Sequence, residues 1–286
     1  MPPAVEGLLD AFHARAPIRA GSLIVTVFGD AVAPRGGRIA LASLTEILAA
    51  FRVSESLTRT ALSRLVAEGW LERWKTGRTS HYRLSARGRE AFAQAARHIY
   101  DRPDPAWDGA FALALLDPAA AAERAPLRAA LEARGFGALT PDLLLAPRAS
   151  ETPSGAVLLR ASPRDPDEAR RLAARAWPLA EIGTRYAAFT EAFGSVDAAL
   201  RAGARVEGLA ALVVRVLLVH AYRRIVLRDP GLPDALLPRP WLGSAARELC
   251  ARVYRAVAPA AEAWLDAHAM TEDGPLPASV ATERFA

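Results

Sequence analysis

One stretch constrains the fold more than any other. Residues 54 to 89, SESLTRTALSRLVAEGWLERWKTGRTSHYRLSARGR, read as a short amphipathic helix, a hairpin and the opening of a further helix. At 3.6 residues per turn, Leu57, Ala61, Leu62 and Leu65 fall on one face, and Ser56, Arg59, Thr60 and Ser63 on the other. Ser54 is the expected N-cap, since its hydroxyl can accept from a first-turn N–H. Gly69 is the expected stop, because glycine tolerates the left-handed conformation. Trp70 to Trp74 and His81 to Leu84 alternate apolar and polar residues around the Gly-containing turn Lys75 to Ser80, which is a hairpin signal. Ser85 then caps the next helix.

The same stretch is basic. Eight cations (Arg59, Arg64, Arg73, Lys75, Arg78, Arg83, Arg87, Arg89) stand against three anions (Glu55, Glu68, Glu72). The excess equals the net charge of the whole chain, +5, so the remainder is balanced. Charge confined to one element suits a polyanion. The residues expected to meet double-stranded DNA are Ser54, Ser56, Thr58, Arg59, Thr60, Ser63 and Arg64 on the helix. Lys75, Arg78, Thr79, Ser80 and Tyr82 are expected to do so on the hairpin. Arginine can pair bidentately with guanine, and hydroxyls reach phosphates or bases. For the helix alone, an ordinary solvated face is an equal alternative. Elsewhere the basic composition carries less weight: Lys75 is the one lysine among the 36 cations, a bias that a GC-rich genome would also write.

Upstream, residues 4 to 16 read as a short helix. Periodicity does not separate strand from buried helix over Ser22 to Asp30, which is taken as the first helix of a winged helix-turn-helix unit. Ala33 to Arg38 is a loop by its Gly and Pro, with Arg35 and Arg38 either touching phosphate or solvated. Ile39 to Leu41 is a short strand able to pair with the hairpin. Ser43 to Phe51 is a helix opened by a Ser43/Glu46 capping box.

Downstream, residues 91 to 100 continue the helix after the hairpin, and Asp101 to Pro105 form a Pro-rich hinge. A strand (108–117), a helix (119–134), a strand pair (136–139 and 142–146), a strand (156–160) and a helix (165–175) follow. This order is read as β-α-β-β-α and suggests a ferredoxin-like split unit. From Trp177 the pattern is helical, over 180–193, 196–202, 206–228 and 244–257. The tail from Thr271 is expected to be loose. Leu209 to Val219, the longest apolar run, is interrupted by Arg215 and too short to span a membrane. The single cysteine, Cys250, permits no disulfide within the chain and fits a reducing cytoplasm, and packing is its expected role. Glu6 and Asp10 at the N-terminus argue against a secretory signal.

The segments SLIVTVFGDAVAPRGG, SESLTRTALSRLVAEGWL and GRTSHYRLSARG resemble the phenylacetate-catabolism repressor family, PaaX. So do HAYRRIVLRDPGLPDALLP and WLGSAARELCARVYR further on, so that the resemblance runs from about Ala20 to about Trp264. It departs at Arg239-Pro240-Trp241, where an acidic residue is expected before the tryptophan. The resemblance implies an α+β multidomain protein. A winged helix-turn-helix domain is expected over 1–102, a central ferredoxin-like (Cas2-like) α+β domain over 103–178, and an all-helical effector and dimerisation domain over 179–286. It also implies a homodimeric repressor of aromatic-acid catabolic operons, released by an aromatic acyl-CoA such as phenylacetyl-CoA, with no cofactor or metal. Candidate effector residues are His220, Tyr222, Arg223, Arg224 and Trp241, because an acyl-CoA needs cations beside an aromatic slot. The alternative is a hydrogen-bonded core histidine and an Arg228–Asp229 pair ending the helix. A second reading is an enzyme, either a metal-dependent nuclease through Asp117, which the likeness to the Cas2-type fold places at a strand end, or a CoA-thioester hydrolase. Against it, the sequence has no GxSxG elbow and no HxxxH ligand pair.

Overall fold

The computed structural model describes residues 2–14, 20–101, 106–116, 121–148, 155–279 and 284–285. The chain opens with α1 (Pro3–His13), α2 (Ala20–Val27), β1 (Arg38–Ala40), α3 (Leu41–Ala49), α4 (Glu55–Ala67), β2 (Leu71–Thr76), β3 (Thr79–Leu84) and α5 (Ala86–Tyr100). It continues through β4 (Phe111–Leu116), α6 (Ala121–Glu132), β5 (Gly137–Thr140), β6 (Leu143–Ala146), β7 (Ala156–Ala161) and α7 (Pro166–Ala176). Then come α8 (Leu179–Arg201), α9 (Gly208–Val226), α10 (Gly243–His268) and a small ladder of β8 (Met270–Thr271) and β9 (Gly274–Pro275). The fold is mixed α+β. Two compact units emerge. The first gathers Met1–Arg102, Ala188–Leu227 and Ser244–Ala286; the second gathers Pro103–Ala187 and Arg228–Gly243. This partition differs from the three consecutive segments drawn from sequence, because the chain passes through the second unit and returns.

In the first unit, α2, α3 and α4 bury Leu23, Ile24, Val27, Leu44, Ile47, Leu48 and Leu62 together. Residues 22–30 are thus helical, α2 passing into a wider π-type turn over Phe28–Val32. The turn from α3 to α4 holds Arg52 at φ 56 without a glycine. A left-handed residue there costs about 1 kcal/mol, and Arg52 is held by ion pairs to Glu6 and Asp10 of α1. The capping box expected at Ser43 is corrected. Helix α3 begins two residues earlier with Ala40 as its N-cap and no side-chain cap. The Ser43 hydroxyl instead accepts from Met270 N–H at 3.0 Å. Strands β1, β3 and β2 form an antiparallel sheet in that order, with Ile39 opposite Tyr82 and Arg73 opposite Tyr82 on the other side. The tail is not loose throughout: Phe285 is buried, and Arg284 joins a charge network described below.

The second unit has a four-stranded antiparallel sheet ordered β5-β6-β4-β7. One cluster under it combines Phe111, Leu145, Ala169, Ala173, Trp177 and Leu236, and another combines Ala114, Leu116, Leu131, Phe136 and Leu144. The observed order is β-α-β-β-β-α, so the order read from sequence is short by one strand: β7 precedes the second helix. The two helical stretches read over 180–193 and 196–202 are one helix, α8. Asp117, residues 15–16 and 119–120, and 102–105 of the hinge lie outside the described residues. Among the described residues no helix is long and apolar enough to cross a membrane.

Candidate nucleic-acid interface

Helix α4 and the β2–β3 hairpin are positioned by a small set of backbone devices. Ser54 accepts from Leu57 N–H at 3.3 Å, and Gly69 closes the helix at φ 73. Ser85 donates to Gly69 O at 2.7 Å and accepts from Gly88 N–H at 2.9 Å, so one hydroxyl ties the end of α4 to the start of α5. The backbones approach so closely that a Cβ on Gly88 would lie 2.4 Å from Trp70 O. Thr76 pairs with Thr79, leaving Gly77 and Arg78 as a two-residue turn, and Gly77 supplies the φ of 59 that such a turn needs.

The outward face of α4 carries Ser56, Arg59, Thr60, Ser63 and Arg64, with Ser54 at its start, all exposed. Lys75, Arg78 and Thr79 are exposed around the hairpin tip. Arg59 is held by Glu55, its Nε donating to Oε1 at 3.0 Å. Among the described residues Arg64, Lys75 and Arg78 make no ion pair, so these three charges are free to meet phosphate.

Three sequence assignments are corrected. Thr58 is 0% exposed, Ser80 8% and Tyr82 4%, so none can reach a surface ligand. Thr58 lies on the inward face beside Leu62 and Leu65. Ser80 and Tyr82 lie on the middle strand of the sheet, and Ser80 Oγ accepts from Arg73 at 2.9 Å. Leu57, placed on the apolar face from phase, is instead 40% exposed. The inward stripe of the helix runs 58, 62, 65: Leu62 and Leu65 lie where the phase placed them, while Leu57 turns outward and Thr58 inward.

Of the candidate effector residues, His220 and Arg223 meet at Thr26 Oγ1. His220 and Tyr222 are buried in the first unit. His220 Nδ1 sits 2.8 Å from Thr26 Oγ1, and burial, with Arg223 and Arg224 beside it, pulls its pKa down to about 3. Tyr222 packs against Phe189 and Phe285. Arg223 reaches back to α2, donating from Nε to Thr26 Oγ1 at 2.7 Å and from Nη2 to Ser22 O at 2.7 Å. Arg224 is exposed. Trp241 belongs to the second unit, where its ring meets Tyr186 edge-on at 5.8 Å. Asp229 accepts from Tyr186 Oη at 2.7 Å and from Gly231 N–H at 2.9 Å.

Sequence reasoning missed the largest polar cluster. Asp30, on the turn after α2, accepts from Arg215 Nε at 2.6 Å, Arg284 Nη1 at 2.5 Å and Tyr100 Oη at 2.8 Å. Arg215 continues to Glu262, and Glu262 to Arg35, whose Nη1 also donates to Asp266 at 2.7 Å. Arg35 is 2% exposed and structural, which removes it from the phosphate-facing candidates. Burial alone would raise the carboxyl of Asp30, but Arg215, Arg284 and the donor hydroxyl of Tyr100 hold it below the ordinary range. The signal was present: Arg215 inside the apolar run 209–219 requires a buried counter-charge somewhere in the chain. Cys250 is buried, and burial pushes its thiol well up, as packing rather than reactivity requires. Among the described residues no three His, Cys, Asp or Glu side chains are placed to hold a metal ion.

Comparison with known proteins gives a consistent result. A family model described as PaaX-like protein matches residues 19–88, and one described as PaaX-like protein C-terminal domain matches residues 177–267. The transcriptional repressor PaaX of Escherichia coli (strain K12) is 37% identical, over 94% of this chain and 90% of that protein. That relative is a transcriptional repressor by name. A solved structure of an uncharacterized protein from Mycobacterium tuberculosis covers 78% of this chain and 90% of its own at 26% identity, with a TM-score of 0.48, too loose a superposition to fix the fold.

Proposed function

The chain belongs to the PaaX family, and from that membership we propose that it is a DNA-binding transcriptional repressor of aromatic-acid catabolic genes of the phenylacetate type. In this reading α3 and α4 are the helix-turn-helix, α4 enters the major groove, and the β2–β3 hairpin is the wing. The observation that carries it is the exposed face of Ser56, Arg59, Thr60, Ser63 and Arg64, next to the exposed cations Lys75 and Arg78. Ser85 and Gly88 fix the junction where α4 ends, the hairpin begins and α5 starts, which suits a two-part grip on one duplex.

The central sheet, with β4 inserted between β6 and β7, supports the ferredoxin-like reading, its last strand and helix standing in exchanged order. The three-part division at 102/103 and 178/179 is retained as a functional partition: DNA contact, centre, and helices for effector and dimerisation. The protein acts in the cytoplasm as a homodimer whose two α4 helices meet successive major grooves. An aromatic acyl-CoA such as phenylacetyl-CoA lowers operator affinity by binding better to a state with unsuitable half-site spacing. Enzyme readings lose ground, since the E. coli relative is a repressor.

The test is an anisotropy titration against the promoter upstream of the protein's own gene cluster, with and without phenylacetyl-CoA. Specific binding that the thioester releases supports the reading. Binding that ignores the thioester removes the effector, and no specific binding at moderate salt removes the repressor.

A further inference from the structure

Inside the first unit a cavity of about 160 Å³ lies between α2, α5 and α9. Its sides are aliphatic, from Val25, Ile99 and Val219, and one end is aromatic, from Trp70 and Phe92, whose rings meet edge to face at 6.4 Å. Apolar cavities of about 150 Å³ stay dry and accept benzene, so the space matches one aromatic ring. Gly29 makes the arrangement possible: a Cβ there would lie 2.7 Å from the Phe92 ring.

The border of this cavity is not apolar. Asp30, Tyr100 and Arg223 stand there: the Asp30 carboxylate is already neutralised by Arg215 and Arg284, and the Arg223 guanidinium is fixed by Thr26 and Ser22. No carboxylate among the described residues pairs with it, and burial, with Arg224 next to it, pulls its pKa down to about 10. A half-buried cation without a counter-charge is costly to keep unless a ligand supplies one. A second, larger cleft of about 730 Å³ shares Gly29, Phe92, Ala96 and Tyr100 with the first and carries Arg89 and Arg97, both exposed.

We propose that the smaller cavity is a binding site for an aromatic ring carried on an anionic arm, the ring between Val25, Ile99, Val219 and Phe92, and the arm's carbonyl or carboxylate against Arg223. The larger cleft then takes the remainder of a longer ligand, with Arg89 and Arg97 facing its phosphates. The site rests on the ligand-responsive reading above and gives it a route. Trp70 joins α4 to β2: its N–H donates to Leu65 O at 2.9 Å and its carbonyl accepts from Ser85 N–H at 3.1 Å. A ring seated against Trp70 presses on the joint between the two DNA-facing elements.

The experiment is calorimetric titration of the full chain, without DNA, with phenylacetyl-CoA, phenylacetate and coenzyme A. Wild type is compared with Ala95→Phe, which fills the cavity, and with Arg223→Gln, which removes its charge. Ala95 lines the cavity and is half-buried. The expected result is at least a tenfold loss of affinity for the aromatic probes in Ala95→Phe, and a several-fold loss in Arg223→Gln. Each variant is first checked for cooperative unfolding; if Ala95→Phe does not fold, Ala95→Leu is read in its place, with a smaller expected loss. Binding of both aromatic probes unchanged in the filled variant overturns the site, and so does a wild type that binds neither. Phenylacetate binding as well as the thioester identifies a free aromatic acid as sufficient; binding of the thioester alone identifies the acyl-CoA. Ring binding that persists while operator binding fails leaves this site standing and sinks the repressor reading.

Discussion

Helices α4 and α9 both look basic in sequence, and they use their arginines in opposite ways. On α4, Arg59 and Arg64 stand in solvent, one held by a neighbour on the same helix and one unpaired. On α9, Arg215 is 1% exposed and meets Asp30 and Glu262, while Arg223 is fixed on α2. The difference lies in what surrounds the helix rather than in the helix itself. α4 is covered on one side and its cations remain available. α9 is covered over most of its length, so Arg215 is neutralised and Arg223 held by neighbouring elements. The cations of α4 are therefore open to a partner, whereas Arg215 of α9 is committed to the fold.

The strongest test of that contrast is Asp30→Asn. It leaves Arg215 and Arg284 facing a neutral amide in the core, and about 3–5 kcal/mol of stability is expected to be lost, read by urea unfolding. Among molecules that remain folded, the salt dependence of DNA binding should not change. If Asp30→Asn unfolds no more easily than wild type, the buried network does not hold α2 to α9.

His220 gives a pH signature. It stays neutral in the folded protein down to about 3, whereas in the unfolded chain it takes up a proton near the ordinary 6.5. The unfolded state therefore binds more protons between these values, and stability falls as the pH drops through that window, at up to about 1.4 kcal/mol per pH unit from this group. His220→Gln should remove that part of the slope in pH-dependent unfolding. An unchanged slope would mean the histidine is not held neutral by its surroundings.

Next comes Gly88→Ala, which drives a methyl into Trp70 O and should cost about 1–3 kcal/mol, the scale of overpacking. It should weaken DNA binding beyond its effect on stability, because it pushes α5 off the Trp70 junction between α4 and the hairpin. Ser54→Ala should cost about 1 kcal/mol through loss of the α4 cap. Smallest in stability, within about 0.5 kcal/mol, is Arg64→Ala. It should nonetheless lower the slope of log affinity against log salt by about 1 if the arginine meets a phosphate. An Arg64→Ala variant with the wild-type slope would take Arg64 out of the interface.

The contrast also explains what could be read beforehand. The caps at Ser54 and Ser85, the stop at Gly69 and the hairpin are local, set by residues within a few positions, and the structure bears them out. Burial of Thr58, Ser80 and Tyr82 was not local. It depends on α2 and β1, far away in sequence, arriving on those faces. The misassigned Ser43 has the same cause, since its partner is Met270. The extra strand β7 was seen but not counted in the topology. The Asp30 network joins positions 30, 100, 215 and 284, a separation that no window of periodicity spans.

That network also sets an order of events during synthesis. The carboxylate of Asp30 emerges from the ribosome early, bound for a site where it ends wholly enclosed. Its first counter-charge, Arg215, is made 185 residues later, and Arg284 is made 254 residues after Asp30. Domains are generally completed as units, N-terminal first. Here the core around Asp30, closed by Tyr100, Arg215, Tyr254 and Arg284, cannot be completed until most of the chain has been translated. A nascent chain released early would hold α2 and α4 on an unfinished, charged floor, so only a nearly finished polypeptide can present a firm hand to DNA.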